Sequence, residues 1–167
     1  MKQFILMITL ITGSILLTPN VFAASSEVKW TDYEKYRDIK SGYGSEKVYR
    51  ENVFDQFEKH FIKLAATLPE NQILKVEVTD LDLAGDTHLA GVSQMRVINE
   101  RYPPSITFSY QLIDAKGKVV VSDEVVLRNR SFMSSSNLKY RNQALGHEKK
   151  MLDDWFKNTF KELVVSK

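Results

Sequence analysis

The sequence predicts an α+β domain built as a two-layer sandwich, with a mixed sheet and two long amphipathic helices on one face of it. Two stretches, one after residue 45 and one near the C-terminus, repeat apolar residues at helical spacing. Between them, apolar residues alternate with polar ones at the period of two that strands show. The chain lacks the repeated strand–helix alternation that is typical of a doubly wound sheet. The predicted order of elements is strand, helix, three strands, helix.

The first 23 residues have the pattern of a secretory signal peptide. A positively charged start is followed by an almost continuously apolar run from Phe4 to Leu17, and Pro19 and the small residues before Ala24 follow. The apolar run is shorter than the ~20 residues that a membrane-spanning helix needs, which favours cleavage after Ala23 over an uncleaved anchor. We expect an exported protein with a single mature domain over residues 24–167, and no membrane span after cleavage.

Composition excludes several classes of protein. The chain has no cysteine, so disulfide-stabilised scaffolds, thiol nucleophiles and cysteine-bound zinc are excluded. Its formal net charge of +2 falls closer to zero once Lys2 is removed with the signal peptide. A nearly neutral chain gives no electrostatic reason to expect nucleic acid as a partner. No cofactor is expected from any motif.

The first elements of the mature chain are a short strand and a helix. Val28 and Trp30 face one way and Lys29 the other, which predicts a strand. Ser45 is a good N-cap for the helix that follows. Seven apolar residues form one face of this helix, and Pro69 ends it: Val53, Phe54, Phe57, Phe61, Leu64, Ala65 and Leu68.

The next strand, Ile73 to Leu83, changes its alternation. Its first half is apolar at even positions up to Val78, whereas Leu81 and Leu83 have the opposite parity. An uninterrupted strand would expose one of these sets. The sequence therefore predicts either a β-bulge near Thr79 or the end of the strand there.

A group of acidic residues lies at this break. Asp80, Asp82, Asp86 and His88 fall within nine residues and are of the types that bind Ca²⁺, Mg²⁺ or a transition metal. The spacing lacks the terminal glutamate of a calcium loop. The alternative interpretation is that the acids accept backbone hydrogen bonds at the end of a strand. Residues 86–104 form a long connection and a candidate binding face.

The clearest hairpin follows, and after it a candidate ligand surface. Strands before and after the turn at Asp114 to Gly117 alternate in the pattern of a β-hairpin. Basic and aromatic residues then surround a serine-rich tip, as in sites for acidic or sugar ligands: Arg128, Arg130, Phe132, Lys139, Tyr140 and Arg141. The alternative is a solvated loop.

A second helix is predicted from about Gln143 to Val164. Asp153 and Asp154 lie on different sides of it, which excludes them as a catalytic carboxylate pair. Glu148 falls inside the apolar face and needs a partner if it is buried, for example Arg128, Arg130 or a tyrosine hydroxyl. His147 and Glu148 begin a zinc-protease-like motif, but Met151 stands where its second histidine is required.

Two motifs carry a resemblance to a known family. The runs 76–85 (VEVTDLDLAG) and 148–156 (EKKMLDDWF), with 33–38 (YEKYRD), resemble the bacterial domain-of-unknown-function family 3016. The resemblance covers nearly the whole mature chain. It implies a signal-bearing protein of the Gram-negative envelope, and it carries no activity, cofactor or functional residue.

Three functional hypotheses follow from the sequence. The favoured one is a non-enzymatic periplasmic binding or adaptor domain that acts on an envelope protein, glycan or lipid, because no complete catalytic arrangement is visible. The alternatives are a metal-dependent hydrolase using Asp80, Asp82, Asp86 and His88, and a structural subunit that oligomerises.

Overall fold

The computed structural model describes residues 22–41, 44–87, 95–134 and 136–164. It confirms an α+β fold with a mixed four-stranded sheet and two α-helices. The strands are β1 (Ser25–Trp30), β2 (Ile73–Asp82), β3 (Ser105–Ile113) and β4 (Val119–Arg128), and the helices are α1 (Glu46–Ala65) and α2 (Gly146–Thr159). The predicted signal peptide lies almost entirely outside the described residues. No helix in the described ranges is both long and apolar enough to cross a membrane.

The strands are arranged in chain order across the sheet, β1-β2-β3-β4. β1 and β2 pair in parallel, and the other two pairs are antiparallel. Parallel neighbours need a long crossover connection, which α1 provides. The β3–β4 turn is held by Asp114, whose carboxylate accepts hydrogen bonds from the backbone N–H groups of Lys116 and Lys118.

The predicted change of alternation in β2 is a β-bulge. Val78 pairs with Phe108, but Asp80 pairs with the adjacent Thr107, so the register shifts by one residue at Thr79. The extra residue lets both Val78 and Leu81 face the core, where both are fully buried. The bulge prediction is therefore confirmed, and the strand does not end there.

Both helices pack against the same face of the sheet. The ring of Phe108 in β3 makes edge contacts with Phe61 of α1, at 6.2 Å between centroids, and with Trp155 of α2, at 4.8 Å. The other face of the sheet carries polar side chains, including the ion pairs Lys29–Glu77 and Lys75–Glu27. A depression of about 740 Å³ lies over this face. Because these charges are already paired with each other, we interpret the polar face as a solvated surface.

α1 begins as predicted. The Ser45 side chain accepts a hydrogen bond from the backbone N–H of Val48, which satisfies one of the free donors of the first turn. Val53, Phe57 and Phe61 form the buried stripe.

α2 is shorter than the predicted range of Gln143 to Val164. Leu145, the residue before its first turn, has a φ of 56° and provides no side-chain cap. Gly146 follows because a Cβ there would lie 2.5 Å from the carbonyl oxygen of Tyr140. The close approach of the preceding loop therefore decides where α2 begins, and the helix pattern in the sequence does not show it.

Glu148 lies in the interior, with 3% of the residue exposed. Its Oε1 accepts a hydrogen bond of 2.7 Å from the backbone N–H of Ala84, just after β2. The partner is thus a main-chain group, and not the arginine or tyrosine side chain expected from the sequence. This bond joins the first turn of α2 to the segment that follows the bulged strand.

We expect Glu148→Ala to destabilise the fold by about 1–3 kcal/mol, because it leaves the buried N–H of Ala84 without an acceptor. Glu162→Ala is the control, because the Glu162 side chain is 86% exposed. We expect it to change the free energy of unfolding by less than ~0.5 kcal/mol. Urea unfolding followed by circular dichroism measures both variants. Equal effects would contradict a structural role for the Glu148–Ala84 bond.

Candidate functional site

A cavity of about 370 Å³ lies in the seam between α1 and α2, and we call it the lysine cleft. Residues of α1 at helical spacing form one wall, α2 forms the other, and the loop before α2 closes the end. The charged and aromatic residues that define it are Lys59, His60, Lys63, Lys139, Tyr140, Lys149 and Asp153. Lys59 pairs with Asp55 at 2.7 Å and Lys139 pairs with Asp153, so Lys63 and Lys149 make the cleft electropositive.

The floor of the cleft is a cluster around Asp153. Its Oδ1 lies 3.0 Å from Nε2 of the buried His60. The two atoms are in contact without the alignment of a directed hydrogen bond. Its Oδ2 accepts hydrogen bonds from Lys139 Nζ and, at 2.8 Å, from the hydroxyl of Tyr140. The cluster thereby joins α1, the loop and α2.

These partners determine the protonation of Asp153. Burial by itself would raise the pKa of this carboxyl, but His60, Lys139 and Tyr140 outweigh burial and lower the pKa to about 2. Asp153 is therefore charged over the whole physiological range of pH. A carboxylate with two hydrogen-bond donors, a histidine contact and so low a pKa is a poor proton acceptor.

Lys149 is the unusual cation of the cleft. The residue is buried, and its Nζ donates to two neutral oxygens, Gln56 Oε1 at 3.1 Å and the carbonyl of Ala144 at 2.8 Å. Within the described residues it forms no ion pair with a carboxylate. Burial, together with the charge of Lys63, lowers its pKa. An anion in the cleft would supply the missing countercharge.

The four residues of the predicted metal site do not form a metal centre in the part that the structure describes. Asp80 and Asp82 both lie beside Arg37, at 3.1 Å and 3.7 Å from its guanidinium nitrogens. Asp86 forms a backbone bridge with Val97. His88 lies outside the described residues, so the complete set stays a prediction. Over the described ranges, no three histidine or acidic side chains are placed to hold one metal ion.

The predicted ligand surface is divided among different environments. Phe132 and Tyr140 are buried, so neither presents an open aromatic face to a ligand. Tyr140 and Arg141 line a cavity of about 580 Å³ that also contains Glu148. Arg128 lines a separate groove beside β4, and Arg130 is exposed. Lys139 and Tyr140 are the two members of the original set that reach the lysine cleft.

The sequence pattern does not reveal the cleft, although it places Asp153 on a different side of its helix from Asp154. The signal was the spacing of polar residues beside each face: Gln56, His60 and Lys63 on one helix, and Lys149 and Asp153 on the other. That spacing does not show which margins meet, because the helices are far apart in the sequence.

We expect Asp153→Asn to destabilise the protein by on the order of 2 kcal/mol at neutral pH, since it removes the partner of His60 and Lys139. The pKa of Asp153 is lowered on folding, so its contribution is complete above about pH 4 and is lost as the pH falls towards its folded pKa of about 2. The variant should therefore show a shallower loss of stability between those limits.

Asp154→Asn is the matched control. The Asp154 side chain is 58% exposed and pairs with Lys150 along the same helix. We expect a change below ~0.5 kcal/mol from it. Urea unfolding at a series of pH values distinguishes the two, and a pH dependence of Asp153→Asn that matches the parent protein would contradict the assignment.

Comparison with known proteins adds a family and no function. No curated protein and no solved structure matches the chain. Residues 24–158 match a family described as "Protein of unknown function (DUF3016)", which confirms the resemblance seen in the sequence motifs. Since the match covers most of the chain, the protein belongs to the DUF3016 family.

Proposed function

We propose that the protein is an exported, non-enzymatic binding domain of the Gram-negative envelope, and that it holds an anionic group in the lysine cleft. The anion would be a phosphate or carboxylate carried by an envelope glycan or lipid. The two helices on one sheet face, in a two-layer sandwich, would form the cleft at their seam. One observation carries the proposal: Lys149, a residue that is 9% exposed, has only neutral oxygens as hydrogen-bond partners of its ammonium in the described part of the chain.

The surroundings of Lys149 support an anion over a cation or an apolar ligand. Its lowered pKa reflects an ammonium that burial and Lys63 both disfavour. An anion between these two lysines would reverse both effects, because a desolvated charge gains most from a close counterion. The cleft volume of about 370 Å³ suits a small charged group.

The fixed state of the other polar groups supports binding over catalysis. His60 is buried against Asp153, and Asp153 is held by three partners at once. The hydroxyl of Tyr140 is also bonded to Asp153. A general acid or base must exchange a proton with a ligand. Asp153 and the Tyr140 hydroxyl are instead hydrogen-bonded to each other.

Export is supported by the sequence of residues 1–23. The charged start, apolar run and small residues before Ala24 are those of a cleavable signal. The family match begins at residue 24, the first residue after the predicted cleavage position.

Inorganic phosphate and pyrophosphate are suitable probes for the cleft. We expect either to raise the melting temperature, because a ligand at a hundredfold excess over its Kd adds about 2.7 kcal/mol of stability. Chloride at the same ionic strength should have little effect. The phosphate-dependent gain in melting temperature should fall as the pH rises, at pH values where an ordinary lysine is still charged. The reason is that the pKa of Lys149 is lowered, so its ammonium loses its proton at a lower pH.

The variant Lys149→Met separates binding from folding. Replacing a buried charge without a charged partner by an apolar side chain of similar length should change stability by no more than ~1 kcal/mol. The phosphate-dependent gain should nevertheless disappear. Lys47→Met, on the exposed side of α1 beside Glu51, is the control and should keep the gain. A gain that persists in Lys149→Met would contradict the proposed site.

A further inference from the structure

β4 forms one edge of the sheet and is long for an exposed edge. It has ten residues and pairs only with β3. Its outward backbone N–H and C=O groups therefore meet no further strand in the described part of the chain. Natural edge strands are usually protected by shortness, proline, β-bulges or charged side chains, lysine above all. The segment from Val119 to Arg128 contains neither proline nor lysine, and its protection is limited to a register shift opposite Leu112 and the central Asp123 and Glu124.

Both faces of β4 carry exposed apolar side chains. On the polar face of the sheet, Val126 is 75% exposed and Val120 is 48% exposed. On the helix side, Val121, Val125 and Leu127 are only partly buried. This incomplete cover arises because Trp155 of α2 packs on β3, through Phe108 and Tyr110.

A groove of about 610 Å³ runs between β4 and α2, and its lining is mixed, with four apolar residues and six polar or charged ones: Arg128, Asn129, Lys150, Asp154, Asn158 and Thr159. Val126 and Leu127 line it from the strand, and Met151 and Trp155 line it from the helix. An additional strand beside β4 would place alternate side chains in this groove. The groove and the free edge thus offer main-chain bonds and side-chain pockets together.

The opposite edge of the sheet, β1, has a different character. Trp30 at its end stacks on Phe54 of α1 at 4.0 Å and donates a hydrogen bond to Glu58. On the polar face, Glu27 and Lys29 form ion pairs with β2. β1 is therefore covered by α1 and by ion pairs to β2 in the manner of a protected edge, whereas the central charges of β4 form no ion pair in the described part of the chain.

The centre of β4 is acidic. Asp123 and Glu124 are both exposed, and neither forms an ion pair within the described residues. They lie on opposite faces of the strand, with Asp123 beside Tyr110 and Glu124 beside Ser109 of β3. Any strand that pairs with β4 brings its own central side chains opposite these two carboxylates.

We propose that β4 is a docking edge for an extended segment of a partner protein, which adds to the sheet as a fifth, antiparallel strand. The segment has lysine or arginine at its centre, opposite Asp123 and Glu124, and β-branched residues on either side. Main-chain hydrogen bonds supply affinity, and the central charges set the register and select the partner.

Charge disfavours a second copy of the chain as the occupant. The symmetric antiparallel pairs that overlap the two β4 strands most fully, with the sheet faces aligned, are centred on Asp123 or on Glu124. Either centre places an acidic residue opposite its own copy. Like charges directly opposite each other destabilise a strand pair, whereas a basic partner gains at both positions.

A pair of capped ten-residue peptides tests the proposal with the purified protein. Both alternate threonine and valine, one around a central Lys-Arg pair and the other around a central Glu-Glu pair. We expect the basic peptide to slow amide hydrogen exchange in residues 119–128 and leave residues 25–30 unchanged. Its affinity should exceed that of the acidic peptide by about tenfold, and a proline at each flank should abolish its binding.

A charge reversal provides the matched variant. Asp123→Lys combined with Glu124→Lys should invert the preference, so that the acidic peptide protects residues 119–128 better than the basic one. Both side chains are exposed, so the fold should be retained. Glu51→Lys combined with Glu70→Lys adds the same charge at exposed positions away from β4 and should leave the preference unchanged.

Three results would overturn the proposal. The first is no protection of residues 119–128 at millimolar basic peptide. The second is equal protection by both peptides, which would mean that the central acids do not select the partner. The third is protection that grows with protein concentration alone, together with a dimer in analytical ultracentrifugation, which would assign the edge to a second copy.

Discussion

One packing constraint governs this domain: two helices must cover the single apolar face of a four-stranded sheet. Phe108 lies at the centre of that contact, with Phe61 of α1 on one side and Trp155 of α2 on the other. Since side chains alternate along a strand, β2 can keep both Val78 and Leu81 on this face only through its bulge. The position of α2 over β3 then creates both the cleft beside α1 and the groove beside β4.

The cleft shows how one low-dielectric seam treats two charges differently. Asp153 accepts hydrogen bonds from Lys139 and Tyr140 at one oxygen and contacts His60 at the other, so the surrounding interior strengthens its charged state. Lys149, one turn earlier on the same helix, has neutral partners, so burial disfavours its charge. The first arrangement is characteristic of a structural link between elements. In the second arrangement the ammonium lacks a counterion among the described residues, and an anionic ligand would supply one. The proposed binding site therefore centres on Lys149.

α2 is the element that contacts both proposed surfaces. Lys149 and Asp153 face the lysine cleft, whereas Met151 and Trp155 face the groove beside β4. Its first turn is also fixed to the end of the bulged strand through Glu148 and Ala84. α2 is short and is held at three places, so a small displacement of it also moves the residues packed against it. An adaptor that holds an anionic ligand and a partner strand would use such an element to keep the two at a fixed separation.

The sequence by itself determined the elements that depend on local periodicity and capping. Ser45 as a helix cap, the apolar stripe of α1, the bulge at Thr79 and the β3–β4 hairpin all follow from near neighbours in the chain. The two motifs at residues 76–85 and 148–156 also identified the family. Tertiary structure alone decided where α2 begins, because the approach of Tyr140 to Gly146 is a contact between a loop and a helix. It also decided that Glu148 bonds to Ala84, that His60 meets Asp153, and that β4 is left uncovered. Each of these depends on which helix face meets which neighbour, and the hydrophobic period specifies a face without specifying its partner.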